Sequence, residues 1–134
     1  MQKSVLIIGG NGRLGRMLMR AFQAQGWQAI GQVRREPPGD ARPGMRWVRT
    51  ALSEPAALAE EAGRADIVVH AANPPYTRWV AESIPLTRNA IEVASRLGAL
   101  LMFPGNVYNF GAAMPELLTE TTPQQPTARK GAIR

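Results

Sequence analysis

Near the amino end, Gly9-Gly10-Asn11-Gly12-Arg13-Leu14-Gly15 combines residue types and spacing that suit anion binding. The segment follows the apolar run Val5-Leu6-Ile7-Ile8 and precedes a stretch with apolar residues at helical spacing. A chain that leaves a strand through glycines and enters a helix aims its first unbonded backbone N–H groups, and the positive end of the helix dipole, above the turn. Two spacings overlap here: Gly10, Gly12 and Gly15 read G-x-G-x-x-G, and Gly9, Gly12 and Gly15 read G-x-x-G-x-x-G. In either, the first glycine permits a tight turn, Gly12 lets a pyrophosphate approach the backbone, and Gly15 lets the helix pack on the strand. The expected contacts are Gly9, Asn11, Gly12, Arg13, Leu14 and Gly15. A triphosphate-cradling loop would need Lys and then Ser or Thr after Gly15, where Arg16-Met17 stand, and Met17 cannot ligate magnesium.

A second position tunes the choice of dinucleotide. After the second strand of such a unit, an acid binds the ribose hydroxyl, whereas an arginine accommodates a 2′-phosphate. This chain has Val33-Arg34-Arg35, with no acid before Glu36. NADP(H) is therefore favoured over NAD(H), with Arg34 and Arg35 as the selecting residues; two solvent-facing arginines at a loop edge are the alternative.

The elements that must position these residues follow from periodicity. Residues 5–8 form a continuous apolar run, the pattern of a strand buried on both faces of a parallel sheet. Leu14, Leu18, Ala21 and Phe22 predict one face of a helix that Gly26 stops, and residues 27–33 read as the second strand. A loop over Glu36-Pro37-Pro38-Gly39-Asp40 and Pro43-Gly44 leads to a short third strand at Arg46-Trp47-Val48. Ser53 is the expected N-cap of a helix over residues 54–62, and Asp66 opens a fourth strand at Ile67-Val68-Val69. Pro85 is expected to start a helix carrying Leu86, Ala90, Val93, Ala94 and Leu97, which Gly98 ends before a fifth strand at residues 100–103. Strands alternating with helices predict an α/β fold, a Rossmann-like doubly wound parallel sheet of five strands in the order 3-2-1-4-5, with helices on both faces. One domain over residues 1–134 is expected, with a regular core at 1–103. Residues 104–134, broken by Pro104, Pro115, Pro123 and Pro126, read as an irregular segment, so that the second half of the doubly wound design is incomplete.

Composition removes whole classes of function. The chain has 134 residues and no cysteine, which excludes disulfides, thiolate nucleophiles and cysteine metal sites, and a single histidine, His70, leaves no metal site expected. No apolar run approaches the roughly 20 residues of a membrane span, and the amino end lacks a signal-peptide core, so a cytoplasmic protein is expected. The net charge of +6 comes from scattered arginines without interleaved aromatics, which argues against nucleic acid as a partner.

Taken together these residues have a family look. The chain resembles the NAD-dependent epimerase/dehydratase family, the extended branch of the short-chain dehydrogenases and reductases. The resemblance rests on Gly9-x-x-Gly12-x-x-Gly15, Asp66-Ile67-Val68-Val69-His70-Ala71-Ala72, Asn89, Val107-Tyr108, and Glu120-Thr121-Thr122-Pro123 with Pro126. It implies that Ala71 and Ala72, with Asn73 following, pass close to the cofactor's ribose, and that Asn89 has a structural or proton-relay role.

The departures concern catalysis. Family catalysis uses a Tyr and a Lys four apart plus a Ser or Thr, the Lys lowering the phenol's pKa. Tyr76 and Tyr108 are the only tyrosines, and each is followed at the fourth position by Val80 or Ala112. Counting along the motifs puts Pro104 at the serine position and Arg129 and Ile133 at the tyrosine and lysine positions. Ala51-Leu52 likewise replaces the usual Asp-Leu pair. Two functions then compete: an atypical enzyme acting on a small-molecule substrate, with Tyr108 as candidate acid, and a non-catalytic NADP(H)-binding or redox-sensing module. A C-terminally truncated member of the family fits the same residues, and a homo-oligomer is compatible with either function.

Overall fold

The computed structural model describes residues 1–39 and 42–134. It contains two compact units, Met1–Asn73 with Pro85–Pro104, and Pro74–Ile84 with Gly105–Arg134.

The first unit is built on five parallel strands, β1 (Ser4–Ile8), β2 (Gln28–Gln32), β3 (Met45–Val48), β4 (Ile67–His70) and β5 (Leu100–Met102), in the order β3-β2-β1-β4-β5. This is the expected 3-2-1-4-5 sheet. Alternation along the central strand β1 sorts its side chains to two faces. Val5 and Ile7 join Ala29 and Val69 against helix α1 (Arg13–Ala24), where Met19 is buried and Leu18 and Phe22 are partly so. Leu6 and Ile8 join Ile30, Val48 and Val68 on the other face, against Leu58, Ala59 and Ala62 of helix α2 (Pro55–Ala62) and Ala90, Val93 and Ala94 of helix α3 (Trp79–Leu97). Each fully buried Val, Leu or Ile contributes about 1.5–3 kcal/mol by leaving water.

Three local expectations are corrected. The buried face of α1 is Gly15 and Met19, flanked by Leu18 and Phe22, while Leu14 and Ala21 are exposed. The helix is rotated because a glycine, with no side chain, lies closest to the sheet. The residue capping α2 is Glu54 rather than Ser53, because Pro55 at the first helical position needs no N–H partner there. Helix α3 starts at Trp79, after a 3-10 turn at Tyr76–Arg78, and takes Pro85 into its interior. Strand ends differ from the expected ones by a residue. The loop expected over residues 36–40 is observed through Gly39; Asp40 lies outside the described residues.

The second unit contains few regular elements, as residues 104–134 lead one to expect. Beyond Tyr76–Arg78 and the start of α3 it holds a 3-10 turn at Tyr108–Phe110 and the short helix α4 (Arg129–Ile133). Gly131 seats α4, since a Cβ there would overlap the Tyr108 carbonyl oxygen. The Ala112 N–H donates to the Thr127 hydroxyl at 3.0 Å, tying the strap back on itself. Among the described residues no helix is long and apolar enough to cross a membrane.

Candidate functional site

The turn between β1 and α1 is set by contacts from both neighbouring strands. Gly9 has φ +79°, a conformation that L side chains rarely adopt, and a Cβ on it would stand 2.9 Å from the Ala72 backbone nitrogen beyond β4. A Cβ on Gly10 would stand 2.8 Å from the Gly31 Cα of β2 and 3.1 Å from the Trp47 ring. One on Gly15 would overlap the Gly9 carbonyl oxygen and lie 2.9 Å from Gly10. These three glycines are demanded by the fold itself.

Gly12 is different. Its backbone, at φ −70° and ψ 169°, suits any residue. A Cβ there would meet only the Gly9 carbonyl oxygen, at 3.3 Å, a tight contact that asks this one backbone atom to give by a few tenths of an ångström. The space beside Gly12 is therefore open.

Gly12 is also the N-cap of α1, and a glycine offers no side-chain acceptor to the first-turn N–H groups. The ladder begins with Arg16 N–H donating to Gly12 C=O at 2.9 Å, so the N–H groups of Arg13, Leu14 and Gly15 precede it. No acidic residue stands in this first turn. Arg13 is exposed, and the Arg16 guanidinium donates to the Asn11 side-chain oxygen at 2.7 Å. An uncapped helix start with positive side chains beside it is an anion cradle.

Sequence reasoning passed over the residue that holds this turn. Gln32, at the end of β2 and 2% exposed, accepts the Gly9 N–H on Oε1 at 3.2 Å and donates from Nε2 to the Thr50 carbonyl at 3.2 Å. Its own carbonyl accepts the Gly10 N–H at 2.8 Å. Beneath them, Gly31 leaves room for the Trp47 ring. A glutamine inside an apolar strand was the available signal.

The remaining expected residues fall as follows. Ala71 and Ala72 are half-buried, with the Ala71 N–H donating to the Ile8 carbonyl at 3.0 Å, so they lie directly beside Gly9; Asn73 is exposed. Arg34 and Arg35 are exposed just beyond β2. Near them Glu36 pairs with Arg49, beyond β3, at 3.0 Å. The acid that follows the two arginines thus has a cation of its own. At the same end of β3 Glu61 accepts the Thr50 N–H at 2.9 Å, and its hydrogen bonds with Thr50 hold its carboxyl below the ordinary range. Asn89 is half-buried in α3. His70 ends β4, buried, with its ring stacked on Phe103 at 5.2 Å.

Tyr108 belongs to the second unit, where its side chain interacts with that of Tyr76 and raises the Tyr76 pKa. Arg129 and Ile133 lie in α4, and the next residue after each carries the contact: Lys130 sits over the Tyr76 ring at 4.0 Å and Arg134 over the Trp79 ring at 5.3 Å. These pairings join residues more than 50 apart, and nothing local in the sequence announces them.

The sequence model of the NAD dependent epimerase/dehydratase family matches residues 5–131. No curated protein sequence matches the chain. Among solved structures, the Bordetella bronchiseptica enzyme WbmG in complex with NAD and UDP superposes with a TM-score of 0.76 at 18% identity, covering 99% of this chain and 47% of that one. Uronate dehydrogenase from Agrobacterium tumefaciens gives 0.72 at 24% identity, covering 98% and 52%. UDP-N-acetylglucosamine 4-epimerase from Bacillus cereus gives 0.76 at 14% identity, covering 98% and 47%. At such identities the likeness is one of fold, and this chain spans about half the length of each.

Proposed function

The chain belongs to the NAD dependent epimerase/dehydratase family, and from that premise we propose that it binds a nicotinamide dinucleotide at the β1–α1 turn, NADP(H) in preference to NAD(H). One observation carries the reading: Gly12 is a glycine where the fold would accept a side chain, beside an uncapped helix start. A bound pyrophosphate supplies the missing reason. Its oxygens accept from the first-turn N–H groups of Arg13, Leu14 and Gly15, with Asn11 and Arg16 at the rim. The alanines at 71 and 72, and Asn73, line the ribose side. Arg34 and Arg35 hold the 2′-phosphate, and the pairing of Glu36 with Arg49 lessens its repulsion of that phosphate.

When bound, the cofactor supplies hydride exchange. The residues of this chain bind and orient it, and they lack the family's proton-transfer set, with Pro104, Arg129 and Ile133 at the counted positions. For residues 1–134 we therefore infer binding without turnover, the behaviour of a redox-sensing module or of one part of an epimerase, dehydratase or reductase. A protein of this kind works in the cytoplasm. Titration calorimetry with NADPH and NADH tests the reading: both bind, NADPH more tightly. Absence of heat with either cofactor would overturn it.

A further inference from the structure

We propose that the second unit carries a binding site for an oxyanion, a carboxylate or phosphate group, formed by Tyr76, Tyr108 and Lys130 with Arg134 beside them. The inference rests on this unit alone and stands apart from the glycine turn.

Three stretches distant in sequence meet here. Trp79 is buried and anchored by its indole N–H donating to the Pro74 carbonyl at 3.1 Å, and the Tyr76 ring packs on it with centroids 4.7 Å apart. Lys130 and Arg134 reach these rings from α4, with Nζ 4.0 Å from the Tyr76 centroid and the guanidinium carbon 5.3 Å from that of Trp79. Tyr108 is brought to the same place by α4, whose Gly131 lies against the Tyr108 backbone, and its side chain interacts with that of Tyr76.

The chemistry of this cluster is one-sided. Each phenol carries an O–H donor. An ammonium offers three donors and no acceptor. Among the described residues no carboxylate pairs with Lys130, and the unit's nearest acid in sequence to Tyr76, Glu82, is paired with Arg78 at 3.1 Å. Tyr76 and Tyr108 stay 49% and 44% exposed, so the donors are reachable from water. The interaction with Tyr108 raises the Tyr76 pKa, against a lowering by Arg134. The phenol donors and the Lys130 ammonium select a negatively charged acceptor over a neutral hydroxyl.

The test is NMR titration of the isotopically labelled full chain at constant ionic strength, with inorganic phosphate, glucuronate or glucose as probe. The expected result is saturable shifts at Tyr76, Tyr108 and Lys130 with phosphate, glucuronate or both, and none with glucose. Saturation by one anion only identifies the source of the charge. Lys130→Met should weaken binding about tenfold, the scale of one charge-assisted hydrogen bond. Tyr108→Phe, which removes only a hydroxyl, should also weaken it and serves as the second probe if the lysine variant unfolds. Shifts that never saturate, an equal response to glucose, or unchanged binding in both variants would overturn the proposal. Addition of NADPH reports separately at Gly9 to Gly15 in the same spectra, so failure of the cofactor reading is distinguishable.

Discussion

The side chain of Gln32 accepts the Gly9 N–H at 3.2 Å and thereby ties the end of β2 to the turn that leaves β1. Its other end is held by the Thr50 carbonyl, so one buried amide fixes the spacing of three neighbouring segments. Replacing it by an apolar side chain of similar size leaves a donor and an acceptor unsatisfied. Gln32→Met should lower stability by about 1–3 kcal/mol, the cost of buried polar groups left without partners. Urea unfolding measures that loss, and cofactor affinity should fall with it; a variant as stable as the wild type would remove Gln32 from the account.

Acid should loosen the opposite end of the sheet. Asp66 accepts the Ser4 N–H at 2.8 Å and pairs with Arg64 at 2.8 Å, and the Ser4 bond first, then Arg64, holds its carboxyl below the ordinary value. A carboxylate depressed in the folded state stabilises above its unfolded pKa of about 3.9 and loses that contribution as pH falls through the lower, folded value. Asp66→Asn should therefore be less stable than wild type at pH 7, with the gap closing below about pH 4. Glu61, also held below its ordinary value by Thr50, leaves the variant some acid sensitivity of its own. Urea midpoints at the two pH values decide, and a gap that is independent of pH would contradict the assignment.

Selection between the two nicotinamide cofactors should reside at the end of β2. Arg34→Ala or Arg35→Ala is expected to weaken NADPH about tenfold, one charge-assisted contact, and to leave NADH unchanged. Calorimetry with both cofactors reads this directly. Equal losses for NADPH and NADH would assign the arginines to general electrostatics instead.

Much of this was legible in the sequence, for physical reasons that also mark where legibility ends. The run Val5-Leu6-Ile7-Ile8 reads as a strand covered on both faces, and it is one, with α1 packed on one face and α2 and α3 on the other. The glycine stop at Gly26 is likewise local: its φ of +78° lets the Trp27 N–H return to the Phe22 carbonyl at 3.1 Å. The start of α3 was missed because Pro85 reads as a first-turn residue; inside the helix it forgoes only one backbone bond, and buried Trp79 anchors the earlier turn. Gly15 packs against the turn as its place in the glycine pattern implies, but periodicity names Leu14 rather than Met19 because it does not tell which apolar residue meets the sheet. The pairings of Gln32 with Gly9 and of Lys130 with Tyr76 are products of tertiary register: a glutamine within an apolar strand marks Gln32 itself, but local pattern names the partner of neither.

Turnover should be absent. With NADPH and a panel of nucleotide sugars, ketones and aldehydes, residues 1–134 are expected to show no cofactor oxidation above background. General acid–base groups contribute about a hundred- to ten-thousand-fold in rate, and the counted positions hold Pro104, Arg129 and Ile133. Sustained NADPH oxidation tied to one substrate and lost in Tyr108→Phe would reverse this conclusion and make Tyr108 the acid.

The most direct measurement is cofactor binding by Gly12→Val beside wild type and Gly15→Ala, each checked by thermal unfolding. Because the Gly12 backbone suits any residue and its surroundings are open, the valine variant should unfold near the wild-type temperature, yet its side chain fills the space of the pyrophosphate. Gly15→Ala, whose Cβ overlaps the Gly9 carbonyl oxygen, should instead lose stability by about 1–3 kcal/mol, as overpacking does. The account predicts a folded Gly12→Val protein that gives no heat with NADPH or NADH. A folded Gly12→Val protein that binds either cofactor as wild type does would contradict it, and would leave the glycine turn a structural feature alone.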